Sequence, residues 1–133
     1  MTKAEKARQE LVDSGATILD CPDLNCKSIV SPDGFIGTGK INSQAEEHSV
    51  LTHDKWHLKL GAFYTITSPF VLREQMEYKV KKHTLMEIVP LKQLKELLLA
   101  DICLSEIAEI LEVTENDILQ AYLLYRDLGL MGS

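Results

Sequence analysis

Residues 53–57 read His53-Asp54-Lys55-Trp56-His57. On an α-helix, positions four apart differ by about 400°, so both imidazoles leave one face, about 40° apart and one turn up. That spacing lets two ring nitrogens reach a single divalent cation at about 2.0–2.1 Å. Asp54 lies one residue on, at the side of the same face, where a carboxylate can take a proton from water. Such a site needs a third protein ligand. The following apolar-periodic segment offers Glu74, Glu77 and His83. Glu77, three residues before Val80 and seven before Thr84, borders the buried side of that segment, but spacing leaves all three open. His48, five residues before His53, turns away from this face and reads as a surface residue.

Two successive helices have to hold these side chains. Ser43 is a good N-cap with Glu46 three residues on, a capping-box pair, and Gly61 is a natural stop, so the first helix is expected over 44–60. The stretch 61–69 reads as a loop ending in Ser68-Pro69. The second helix is expected over 70–88, with Leu72, Met76 and Val80 recurring every four residues as its buried stripe. Upstream, Thr2 and Glu5 open a helix over 3–14 that Gly15 ends. Strands are expected at 17–19, 27–30 and 35–41. Ser31-Pro32-Asp33-Gly34 joins the last two in a hairpin. Gly37 and Gly39 suit an edge strand that something approaches closely. Downstream, Pro90 fits the first turn of a helix over 91–99. Two more helices follow over 105–111 and 115–128, the last capped by Thr114.

The 133 residues form one expected domain, and 45% hydrophobic content can supply a core. No stretch approaches the roughly 20 apolar residues of a membrane span, and the charged N-terminus lacks the apolar run of a secretion signal. A cytoplasmic protein is the expectation, and three cysteines agree with reduced thiols. Cys21 and Cys26 have four residues between them, wider than a common zinc knuckle, and read as structural or incidental thiols. The net charge of −6 opposes nucleic-acid binding. The cluster Lys79, Lys81, Lys82 and His83 reads as a solvated helix face. Residues 105–125 resemble a helix-turn-helix, but the would-be recognition helix opens with Glu115, Asn116 and Asp117, which would repel phosphates.

The pentapeptide has the spacing of the H-E-x-x-H zinc peptidase motif, with aspartate in the glutamate position. Over residues 27–125 the chain resembles the ImmA/IrrE family of metallopeptidases. GFIGTGKINSQAEEHSVLTHDKWH is similar to that family's strand and zinc helix, where the pattern is close to AEEK-x-x-L-A-HELGH. GAFYTITSPFVLREQMEYKVKKHTLMEIVP is similar to its loop and ligand helix, and SEIAEILEVTENDILQAYLLY to its closing helices. The resemblance implies a third ligand about twenty residues after the second histidine, which falls on Glu77. It implies a minimal zincin-like α+β domain, mostly helical with a small antiparallel sheet. It implies Zn2+ held by His53, His57 and Glu77, with Asp54 as general base. It also implies a cytosolic peptidase that cuts or inactivates a helix-turn-helix repressor of a phage or mobile element. Tyr64, in the loop after the zinc helix, is a candidate oxyanion stabiliser or else a core aromatic beside Phe63. The sheet edge near 35–39 is expected to hold an extended peptide by strand addition.

The chain departs from the family pattern at three positions, with Asp54 for glutamate, Lys55 for an apolar residue and Trp56 for glycine. Aspartate is shorter by one methylene, roughly 1.5 Å of reach, comparable to misplacements that cost about 100-fold. A working peptidase with a shifted helix, a slow one, and a zinc-stabilised interaction protein that no longer cuts are the three outcomes this leaves.

Overall fold

The computed structural model describes residues 1–63 and 67–131. Thr2 opens α1 (Lys3–Asp13) by accepting the Glu5 amide proton at 3.1 Å. Three short strands follow: β1 (Thr17–Asp20), β2 (Ser28–Val30) and β3 (Phe35–Thr38). In the 31–34 turn Gly34, at φ 90°, donates to the Ser31 carbonyl at 3.0 Å. The turn delivers the expected hairpin, with Ile29 opposite Gly37.

The sheet is mixed, however, and not the antiparallel one expected. Its order is β1-β3-β2, and β1 runs parallel to β3 with Thr17 opposite Phe35. Residue patterning says which face of a strand is buried, not which neighbour it takes. Residues 21–27 carry the chain past β3's position, so β3 enters between the two earlier strands. β3 is therefore central, and the edge expected near 35–39 is corrected to β1 and β2. The close approach signalled by the glycines comes from the chain itself. A Cβ on Gly39 would lie 2.0 Å from the Cys26 carbonyl oxygen, and one on Gly37 would lie 3.4 Å from the Cys21 sulfur.

The helices α2 (Gln44–Leu60), α3 (Phe70–Ile88), α4 (Leu91–Leu99), α5 (Leu104–Leu111) and α6 (Glu115–Asp127) complete a small α+β domain. The Ser43 hydroxyl accepts the Glu46 amide proton at 3.1 Å, and Gly61 stops α2 in the left-handed conformation at φ 60°. Pro90 stands at the N-cap of α4, one position outside the helix rather than in its first turn. Thr114 and Asp117 cap α6 reciprocally, each side chain accepting the other's amide proton at 3.1 Å.

Two cores form. Leu11 of α1, Ala16, Ile36 of β3 and Leu51 of α2 make one. Leu85, Ile88, Leu94, Ile107, Ile118 and Tyr125 belong to the other, built from the second half of α3 and α4 to α6. Burial on α3 begins at Val80 and continues through Thr84, Leu85 and Ile88. Leu72 is 41% exposed, so the expected stripe is corrected there: the first half of α3 lies beyond the second core, and four-residue periodicity alone does not say where packing begins. Among the described residues no helix is long and apolar enough to cross a membrane.

Candidate metal centre

α2 and α3 meet with His53 and His57 facing Glu77. His53 Nε2 lies 3.5 Å from Glu77 Oε2, and His57 Nε2 lies 3.3 Å from Glu77 Oε1. One ligand atom from each of the three residues lies within 4.8 Å of the others, so the group can hold a metal ion. Two ligand atoms bound tetrahedrally to one zinc at about 2.0–2.1 Å are about 3.3–3.4 Å apart. The two histidine–carboxylate separations fall near that value, and one ligand atom from each of the three residues stays within 4.8 Å of the others.

The tautomer of His57 points the same way. Its Nδ1 is 2.8 Å from the Ala62 carbonyl oxygen, which can only accept, so Nδ1 carries the proton. In the neutral ring Nε2 then keeps its lone pair towards Glu77, the arrangement found in metal-ligating histidines. Gly61 makes this possible, because its left-handed turn brings the Ala62 carbonyl back over α2. Burial, and then His57, lowers the pKa of His53, against an opposing effect of Glu77. The neutral form that binds a metal is thereby favoured. His57 is buried, while His53 and Glu77 are half-buried, so the group opens to solvent on one side.

That side is a cleft of about 1000 Å³, lined by β2, α2, α3 and the start of α6. Asp54 also lines it, though only 2% of its surface is exposed. Its Oδ1 accepts a hydrogen bond from the Ser28 hydroxyl at 2.9 Å, and its Oδ2 is buried with no hydrogen-bond partner among the described residues. Burial raises the Asp54 pKa from 3.8 to about 6, against the lowering effects of the Ser28 hydrogen bond and of His57. A carboxyl group near neutral pKa beside a metal-ligand cluster is suited to accept and return a proton.

The rival third ligands separate cleanly. Glu74 lines the cleft but is not in the ligand cluster. His83 stacks on Trp56 with centroids 4.5 Å apart. Tyr64 lies outside the described residues. His48, expected at the surface, is only 7% exposed and donates from Nδ1 to the Glu112 carbonyl at 2.9 Å. Its partner ends α5 at φ 55°, 64 residues away in sequence, so helix phase alone carried no sign of it. In the basic cluster Lys79 and Lys81 are exposed, as expected of a solvated face, while Lys82 and His83 are half-buried. Lys81 reaches Gln120 across to α6 at 2.9 Å, and His83 is the ring under Trp56.

The two other departures have structural partners. Lys55 pairs with Glu87 of α3 and, at 3.6 Å, with Glu10 of α1. Trp56 stacks on the His83 ring and has the Lys59 ammonium 5.1 Å from its own centroid. Ser28 and the Ala62 carbonyl are the site's contributors that sequence reasoning missed. No family model, curated protein or solved structure matches this chain.

Proposed function

We propose that this chain is a zinc-dependent peptidase of the ImmA/IrrE type that cleaves or inactivates a helix-turn-helix repressor in the cytosol. The observation that carries the reading is the convergence of His53, His57 and Glu77, with one ligand atom from each within 4.8 Å of the others and Asp54 in the same cleft. The donor set of two imidazoles and one carboxylate is that of zinc peptidases, with room for substrate on the open side. Zinc, when bound, supplies a Lewis acid that polarises a carbonyl and lowers the pKa of water. Asp54 takes a proton from the attacking water at Oδ2 and returns it to the leaving amine. The three free cysteines suit a reducing compartment.

β2 supplies a place for an extended substrate. Lys27 accepts from Gly39 and Ser31 donates to Phe35, so the odd-numbered residues of this hairpin bond to β3. Ser28 and Val30 therefore turn their backbone groups to the other edge, as antiparallel alternation requires. Both residues line the cleft, which supports strand addition at β2 in place of the 35–39 edge.

Metal analysis of purified wild type, His53→Ala and Glu77→Ala tests the site. One zinc per chain in wild type and a large loss in both variants is expected; full occupancy in both would exclude the assignment. The shortness of Asp54 favours a second reading, a zinc-stabilised interaction protein that binds its repressor without cutting it. A DNA-binding role has less support, since Glu115 and Asn116 are exposed at the start of α6 and Asp117 is engaged in its cap.

A further inference from the structure

The hydroxyl of Ser28 belongs to the edge strand, yet it reaches the one carboxylate that the proposed chemistry needs as a base. We infer that Ser28 is a positioning residue that fixes the carboxylate of Asp54 and ties its orientation to occupancy of the β2 edge. The inference rests on the peptidase reading.

Three observations support it. The first is the 2.9 Å hydrogen bond from Ser28 Oγ to Asp54 Oδ1, across 26 residues of sequence. A bond to one oxygen fixes the rotation of a short carboxylate and leaves the other oxygen in a defined place. The second is that this other oxygen, Oδ2, is buried without a hydrogen-bond partner among the described residues. Leaving a buried acceptor unmet costs about 1–3 kcal/mol, so such an atom points to a donor supplied by a bound molecule. The third is the place of Ser28 on β2. Its side chain faces α2 while its backbone groups face the free edge, where its carbonyl has a weak contact from the Cys26 thiol at 3.4 Å. A peptide added to that edge bonds the backbone of the residue whose side chain holds the base. For a carboxylate one methylene short, a fixed position matters more than for glutamate, because an error of about 1 Å costs about 100-fold.

The test uses the full chain loaded with cobalt(II) in place of zinc, and acetohydroxamate as probe. A hydroxamic acid gives up or shares its O–H proton on binding a metal, so its affinity reads a correctly placed carboxylate beside the ion. The visible cobalt spectrum reports both events. Ser28→Ala should weaken acetohydroxamate about 10-fold while cobalt affinity and the spectrum without probe stay as in wild type. Ser28→Thr, which keeps the hydroxyl and suits a strand, should restore binding to within about twofold. Asp54→Ala should weaken the probe at least as much, and the double variant Ser28→Ala/Asp54→Ala should lose nothing further. Wild-type affinity in Ser28→Ala, multiplied losses in the double variant, or reduced cobalt affinity in Ser28→Ala would each overturn the positioning role alone. A wild-type chain that takes up neither cobalt nor zinc, or that excludes acetohydroxamate once loaded, would overturn the peptidase reading and this inference with it.

Discussion

Under the peptidase proposal, Asp54→Glu adds the one methylene by which this cleft-lining carboxylate is shorter than the glutamate of the H-E-x-x-H motif. If the proposed peptidase activity holds and reach limits the wild type, turnover of a cognate repressor by Asp54→Glu should rise about 10- to 100-fold. If both forms bind the repressor and neither cuts it, the interaction reading holds instead. Asp54 also gives the metal-free protein a pH signature. Below pH 3.8 the carboxyl is protonated whether the chain is folded or not. Between there and about pH 6 the unfolded chain ionises while the folded chain keeps its proton. Stability therefore falls as pH rises through this window and levels off above it, by on the order of 3 kcal/mol in all. Asp54→Asn removes the slope. Urea unfolding of chelator-treated wild type and Asp54→Asn should show their stability difference growing in the variant's favour from about pH 4 to about pH 7.

At the scale of elements, the bounds of α2 and α3 were legible because local chemistry fixes them: the Ser43 cap, the Gly61 stop and the proline at 69. The histidine pair followed from helix phase. Glu77 did not, since Glu74 lies on the same cleft, and only the resemblance chose between them. The partners of β1 and the Ser28 contact were hidden because both depend on β3 inserting between two earlier strands. Gly37 and Gly39 did announce a close approach, though not by what. That approach gives a test of the sheet. Gly39→Ala places a methyl 2.0 Å from the Cys26 carbonyl, a backbone atom that cannot swing aside. It should cost about 2–4 kcal/mol in urea unfolding, and, because β2 begins two residues after Cys26, it should also weaken acetohydroxamate binding.

For the whole molecule, the candidate metal centre joins helices that belong to different cores, α2 to the one around Leu51 and α3 to the one around Leu85. An ion shared between them would stabilise the folded chain by mass action, by about 4 kcal/mol when the free metal ion exceeds its dissociation constant about 1,000-fold. Chelation should lower the unfolding midpoint accordingly. Hydrogen exchange should quicken in 50–63 and 70–80 while α5 and α6 keep their protection. Next to the histidines, α2 is tied down by Lys55, which pairs with Glu10 of α1 and Glu87 of α3, and by Trp56, which stacks on His83 of α3. With these ties α2 behaves as an anvil: it has little freedom to roll and bring a short carboxylate forward. Under the peptidase proposal, the mobile jaw across the cleft from it is the three-residue strand that carries Ser28.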